Sequence, residues 1–235
     1  AGGASELSVT RRPRIGVLAS GDELVPPGAP PGPGQIINSN APALAALLTQ
    51  WGAAPIDLGI ARDTPEAVRA ALEQARDLDL LVTIGGASVG DHDHLRRVFA
   101  DMGGKLAFEK IALKPGKPTW FGHLPDLPVL GLPGNPVSAL VVAELVLRPA
   151  VEALLGETPR ARLRPARLAT SLPANGPRET WIRGRFDPET GAVRPAGRQE
   201  SGLVSALATA ELLIPRPIDA PARQAGDRVD ILLLD

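Results

Sequence analysis

Residues 79–90 read Asp-Leu-Leu-Val-Thr-Ile-Gly-Gly-Ala-Ser-Val-Gly. From Asp79 to Ile84 the run is apolar without alternation, as expected of a strand buried on both faces, and Gly85-Gly86 closes it. Upstream, Thr64 is placed to cap a helix that has Pro65 at its first position and runs to about Arg76. Ala54–Ile60 reads as a strand before it. Asn38 or Ser39 is placed to cap a helix through Gln50, with Leu44, Leu47, Leu48 and Trp51 at helical spacing. Residues 26–34 (PPGAPPGPG) read as a loop, and Arg14–Ser20 (RIGVLAS) as the first buried strand.

Downstream, a helix is predicted from about His92 to Met102. Strand-like stretches follow around Leu106–Leu113, Thr119–Gly122 and Val129–Leu130, and then a long apolar helix from Pro136 to near Leu155. Strands and helices that alternate through short connections predict a parallel or mostly parallel sheet covered on both faces. Ligands of such sheets bind at the carboxyl ends of the strands. After Gly156 the pattern changes. Residues 157–168 are rich in Arg and Pro, and short strands are expected at Thr180–Phe186, Ala192–Pro195, Leu203–Ala206, Glu211–Ile214 and Arg228–Leu234. The expected organisation is a linker at 1–13 left by a preceding region, an α/β/α domain at 14–157 and a small all-β, barrel-like domain at 161–235. No internal repeat is visible.

A net charge of −1 gives no electrostatic footprint for nucleic acid or a membrane surface. No apolar run approaches the ~20 residues of a membrane span. The chain has no Cys, so disulfides, thiolate metal sites and cysteine nucleophiles are excluded. The expected location is cytoplasmic, which the lack of Cys is compatible with but does not prove. The first residues lack the charged and apolar regions of a signal peptide, and the first residue is not Met, consistent with a piece of a longer chain.

Several loops on the presumed ligand side carry chemistry. Ser20-Gly21-Asp22-Glu23-Leu24 joins small residues to two carboxylates, and by itself reads most simply as a solvated turn. Gly85-Gly86-Ala87-Ser88-Val89-Gly90 offers backbone N–H groups and a helix start to an anion. It also matches the G-x-S-x-G nucleophile elbow. That reading needs a downstream His, and only His123, on a turn amid Pro and Gly, could serve. The elbow is set aside on that ground. In Asp91-His92-Asp93-His94 the two His side chains point apart on a helix, which argues against a transition-metal site but leaves one carboxylate for a shared Mg²⁺. In Lys110-Ile-Ala-Leu-Lys114-Pro-Gly-Lys117-Pro118, a strand would put Lys110 and Lys114 on one face, and the Pro-Gly turn pins Lys117 beside them. Three converging ammonium groups favour an anion, with a solvated basic turn as the plain alternative. Gly131-Leu-Pro133-Gly134-Asn135-Pro136-Val-Ser138 is a second helix-end cradle, with simple capping as the plain alternative.

Together, Ser-Gly-Asp-Glu-Leu (20–24), Gly-Gly-x-Ser-Val-Gly (85–90), Lys-Pro-Gly-Lys-Pro (114–118) and Gly-Leu-Pro-Gly-Asn-Pro-Val-Ser (131–138) resemble the MoeA and gephyrin E-domain family. The order and spacing carry the resemblance, which runs from about Arg11 to the end and includes Trp181-Ile-Arg183 and Gln199-Glu200-Ser201. It implies a MogA/MoaB-like three-layer domain followed by the family's C-terminal β-barrel domain. It also implies molybdopterin molybdenumtransferase activity, in which adenylylated molybdopterin receives molybdate and AMP is released. Carried over by position, Glu23, Asp63, Asp93, Lys110 and Lys114 take catalytic roles, with Asp63 and Asp93 holding Mg²⁺. Gly21, Asp22, Gly85, Gly86, Ser88, Gly90, Lys117, Pro118, Pro133, Gly134, Asn135, Pro136, Ser138, Arg183 and Ser201 become substrate-binding positions. The family's N-terminal half supplies a dimerising region, so a homodimer is expected.

The chemistry agrees with the residues. A lysine cluster suits dianionic molybdate, and without Cys the sulfur ligands for molybdenum must come from the pterin. The sequence departs from the family in one extra residue between Asp93 and Lys110, and in Glu200 where a small residue is usual. Two rivals stay open: a molybdopterin-binding or scaffold module without turnover, and the adenylyltransferase of related fold. The carboxylate set disfavours the first, and the Lys-Pro-Gly-Lys-Pro turn with the β-domain disfavours the second.

Overall fold

The computed structural model describes residues 3, 5–85, 94–158, 161–197, 199 and 207–234. The apolar run read first is a fully buried strand, β5 (Leu80–Ile84). It lies between β1 (Arg14–Ser20) and β9 (Leu127–Leu132), parallel to both. β4 (Ala54–Ala61) adds a parallel edge beside β1. On the other side β8 (Trp120–Leu124) and β6 (Lys105–Phe108) turn antiparallel. Among the described residues this makes a six-stranded sheet in the order β4-β1-β5-β9-β8-β6, with two short paired segments, β2 (Leu24–Val25) and β3 (Ile36–Ile37), outside it.

Side chains on successive residues of β5 leave for opposite faces, so each face needs its own helical cover. Leu80, Val82 and Ile84 pack with α1 (Asn40–Gln50), α4 (Pro136–Val142) and α5 (Arg148–Leu154). Leu81 faces the other way, into the core made with α2 (Pro65–Gln74) and α3 (His94–Asp101). Full burial of each aliphatic side chain contributes about 1.5–3 kcal/mol, so the two-sided apolar pattern specifies three layers. Local chemistry agrees. Thr64 caps α2 by accepting from the Ala67 N–H, with Pro65 at the first position. At α1 it is the Asn38 side chain that accepts from the Ala41 N–H, while Ser39 stands at the cap without a side-chain bond.

The long apolar helix is continuous but not regular: a π-helical turn at Ala143–Leu147 separates α4 from α5. Pro149 has no N–H to donate to the turn before it, and the wider turn accommodates that loss. Glu144 in this turn is buried and takes an ion pair from Arg148 at 3.0 Å and another from Arg162.

The second sheet contains β10 (Leu163–Arg167), β14 (Arg228–Leu233), β13 (Leu212–Arg216), β11 (Glu179–Phe186) and β12 (Val193–Pro195), adjacent in that order. All four pairings along this path are antiparallel. Val193 on β12 bridges Leu168, one residue beyond β10, so the sheet curls toward closure around Leu168, Leu172, Val193, Leu212, Ile214 and Ile231. This is the α/β domain with a following β-rich domain that the sequence implied.

Three local expectations change. The stretch Leu106–Leu113 is not one strand: after β6 the chain leaves the first sheet, and β7 (Leu113–Lys114) pairs with β11 of the second. Lys110 therefore sits in an exposed loop, and strand alternation does not place it on a face with Lys114. The Arg/Pro-rich stretch contains β10, which among the described residues is an edge strand beside β14, a place where Pro165 is tolerated. The expected helix from His92 is described only from His94, and Leu203–Ala206 lies outside the described residues. The two sheets are also joined by packing, since Val137 and Val141 of α4 share a core with Leu213, Leu232 and Trp181.

Candidate functional site

At the carboxyl ends of β1, β4, β5 and β9 the loops close on one another. Gly85 has φ +92°, and a Cβ there would fall 2.5 Å from the Ser20 carbonyl oxygen. Only glycine lets these two strand ends approach so closely. A Cβ on Gly134 would lie 3.6 Å from the Gly85 Cα, so the loop after β9 rests on the loop after β5. The Asn40 side chain donates to the Gly134 carbonyl at 2.7 Å and fixes the start of α1 to the same point.

The carboxylates gather on the β1 side of this floor. The Ser20 hydroxyl donates to Asp63 at 3.0 Å, and Asp22 accepts from the Asp63 N–H at 3.2 Å. The Glu23 carboxylate folds over Gly21, which holds a positive φ of +150°. Asp22 and Glu23 are exposed, and Asp63 is half-buried. Asp63 and Asp22 thus present hard oxygen donors at one place, a donor type suited to Mg²⁺, which needs few protein ligands when a phosphate completes its shell. Asp93, the second expected metal ligand, lies outside the described residues, as do Gly86, Ser88, Gly90 and Ser201. Among the described residues no group of three or more His, Cys, Asp or Glu is arranged to hold a metal.

The basic residues form a different wall. A cavity of about 560 Å³ opens between the two domains, lined by Lys114–Pro118, Ser138, the 173–176 loop, Arg178, Thr180–Arg183, Gln199 and Arg216. Its described lining contains Lys114, Lys117, Arg178, Arg183 and Arg216 but no carboxylate. The Lys114–Pro115 peptide is cis. The Thr119 hydroxyl donates to the Gly116 carbonyl at 2.7 Å and the Ile111 N–H to the Lys117 carbonyl at 3.1 Å, which pins the turn. Gly116, at φ +124°, packs so close to Val142 of α4 that a side chain would overlap it. Ser138 comes from the first turn of α4, with only Asn135 and two helical residues between it and Gly134. The loop after β9 therefore links the carboxylate floor to the basic cavity. Within it Pro133 is buried and Pro136 is the first residue of α4.

Arg183 is 1% exposed, and burial pulls its guanidinium below the ordinary value. The exposed Gln199 clamps the backbone behind it: its amide donates to the Arg183 carbonyl at 3.0 Å and its carbonyl accepts the Arg183 N–H at 3.1 Å. Lys114, Lys117, Pro118, Ser138 and Arg183 are thus brought together as expected positions, while Lys110 is not part of the cavity wall. Arg178, Arg216 and Asn175 were not anticipated. They sit on a loop and a strand end that carry no motif; the cross-strand register aligns Arg216 with Lys114, and the loop before β11 adds Asn175 and Arg178 to the cavity wall.

With this geometry in place, the comparisons are specific. Residues 16–153 match the family described as "Probable molybdopterin binding domain", and residues 165–234 match "MoeA C-terminal region (domain IV)". The chain is 34% identical over 236 residues to a Bacillus subtilis protein named molybdopterin molybdenumtransferase, covering 99% of this chain and 55% of that one. It is 36% identical over 236 residues to Mycobacterium tuberculosis molybdopterin molybdenumtransferase 2, covering 97% of this chain and 58% of that one. The chain spans about half the length of the curated relatives it matches. A solved molybdopterin biosynthesis MoeA protein from Pyrococcus horikosii superposes with TM-score 0.81 at 30% identity, over 94% of this chain and 54% of that one. With both domains matched in order and the MoeA fold reproduced, the chain belongs to the MoeA family, its molybdopterin-binding domain followed by the MoeA C-terminal domain.

Proposed function

We propose that this chain carries the metal-insertion site of a molybdopterin molybdenumtransferase, holding molybdate in the basic cavity beside adenylylated molybdopterin. One observation carries the reading: Lys114, Lys117, Arg178, Arg183 and the buried Ser138 line one cavity whose described wall has no carboxylate. Like charges gathered this way repel unless an anion neutralises them, and a tetrahedral dianion with four acceptor oxygens suits ammonium, guanidinium and hydroxyl donors. A cavity of about 560 Å³ also exceeds what one oxyanion fills and leaves room for an organic part of the ligand.

The carboxylate floor complements this wall. The floor's Ser20 end packs against Gly85, on which the loop that delivers Ser138 rests. In the proposed reaction Asp63, with Asp93, would hold Mg²⁺, and the ion would supply charge neutralisation at the adenylyl phosphate for cleavage of that bond by water, which gives AMP. The residues of the chain orient the two substrates: Lys114 and Lys117 hold the oxyanion, Gly134 lets the ligand approach the backbone, and Glu23 lies near the reacting phosphate. A homodimer and a cytoplasmic setting belong to the same proposal. Among the described residues no helix is long and apolar enough to cross a membrane.

Molybdate added to the chain should raise its melting temperature, since a ligand at a hundred times its Kd stabilises by about 2.7 kcal/mol. Lys114→Ala with Lys117→Ala should abolish that protection. Equal protection in the double variant would refute the site.

A further inference from the structure

Arg216 closes strand β13 at the cavity wall, and three facts about it belong together. It is 3% exposed, and its Nη1 is shut off from solvent without an acceptor among the described residues. Its Nη2 is anchored on the carbonyls of Ala220 and Pro221. The charged neighbour acting on it is another cation, Arg223, and burial together with that repulsion draws its guanidinium below the ordinary value. A buried cation with a spare donor and no counter-charge is costly in a folded protein unless something else supplies the anion.

The register says where that anion would sit. Lys114 on β7 is the partner of Thr180 on β11, and Thr180 is the partner of Arg216 on β13. Residues directly opposite one another across a ladder project from the same face. Lys114, Thr180 and Arg216 therefore form one row over three strands, spanning roughly 10 Å at ~4.8 Å per strand spacing. Two long cationic side chains at the ends of such a row can close on a single tetrahedral group between them. The Thr180 hydroxyl, at the middle, is held by the Asn175 carbonyl at 2.8 Å.

We propose that Arg216 is a further anion-binding residue of the cavity, which grips an oxyanion from the side opposite Lys114 and so sets its position and charge preference. This rests on reading the cavity as an anion site. With Nη2 on the two carbonyls, Nη1 is the donor left for the ligand, and the guanidinium adds a charge-assisted hydrogen bond. A doubly charged tetrahedral oxyanion is favoured over a singly charged one, because cations face it from both ends of the row.

Calorimetric titration of molybdate into the unmodified chain, Arg216→Met, Arg216→Gln and the Lys114→Ala/Lys117→Ala pair tests this. Arg216→Met and Arg216→Gln should each weaken molybdate binding by about tenfold to a hundredfold, the loss expected of a charge-assisted bond. Both should also make affinity less dependent on salt. Unliganded Arg216→Met should melt no lower than the unmodified chain, since it removes an uncompensated buried charge. Arg216→Gln retains an amide donor for the Ala220 and Pro221 carbonyls, and it decides the matter if the Met variant does not fold. If the Arg216 variants bind molybdate normally while the lysine pair does not, the role of Arg216 is overturned and the cavity reading stands. If the lysine pair binds normally as well, the cavity reading itself falls. A lower melting temperature with unchanged affinity would make Arg216 a clamp on its two carbonyls and nothing more, against the proposal.

Discussion

Replacing Asn175 with Ala should dismantle much of the cavity's β-domain wall. The Asn175 amide donates to the carbonyls of Arg178 at 2.8 Å, Arg216 at 2.9 Å and Pro217 at 2.7 Å, while its oxygen accepts the Thr180 hydroxyl at 2.8 Å. An amide has two N–H groups, so the three carbonyls share them and the side chain provides about three hydrogen bonds in all. At about 1 kcal/mol each, Asn175→Ala should cost about 3 kcal/mol. The backbone bond from the Asn175 N–H to the Ala220 carbonyl, 2.8 Å, survives, so the loop keeps one anchor. In urea, with a slope of about 1–3 kcal/mol/M, the midpoint of the β-domain transition should fall by about 1 M or more. Asn175→Asp is nearly isosteric but aims a carboxylate at three carbonyls, and should cost at least as much. It also brings a negative charge toward Arg178 and Arg216, so it should weaken molybdate binding more than Asn175→Ala does. A midpoint within about 0.2 M of the unmodified chain for Asn175→Ala would refute the reasoning.

Glu144→Ala removes the buried carboxylate shared by Arg148, which keeps Glu152 at 3.0 Å, and by Arg162, and should cost about 1.5–3 kcal/mol, measured by urea unfolding; a loss below about 1 kcal/mol would contradict the pairing. Asp79 is held below the ordinary carboxylate range, first by its hydrogen bond from Arg11 at 2.6–2.7 Å. Because its folded value is depressed, it stabilises above the unfolded pKa of about 3.9, and the benefit disappears as pH falls through the folded value. Asp79→Asn should therefore be less stable than the unmodified chain at neutral pH and converge with it as pH falls through the depressed folded value. A gap that persists in acid would rule this out. Gly85→Ala combines a left-handed φ with a clash against the Ser20 carbonyl and should cost at least about 1–2 kcal/mol, together with some molybdate affinity if the loops are one unit.

The α/β layers were legible because β5 and its neighbours are apolar on both faces, a pattern that admits little but a covered sheet. The motif loops were legible for a related reason: Gly21, Gly85 and Gly116 adopt positive φ or tolerate contacts that only glycine can. Strand β7 was not. It is two residues long and pairs with residues 66 positions downstream, information that no local period carries. Taking Leu106–Leu113 as one strand misplaced Lys110 for the same reason. β10 was hidden by Pro165, which a central strand would exclude and an edge strand allows. Arg178, Arg216 and Asn175 belong to no motif, and their importance appears only when three strands are aligned side by side.

Anomalous diffraction at the molybdenum edge, from crystals of this chain equilibrated with molybdate, tests the central claim most directly. The expected result is one dominant peak in the cavity, from a molybdate whose oxygens lie about 3 Å from the donor atoms of Lys114, Lys117, Ser138 and Arg183. A dominant peak elsewhere on the molecule, or none at molybdate concentrations that raise the melting temperature, would contradict the assignment of this cavity as the molybdate site.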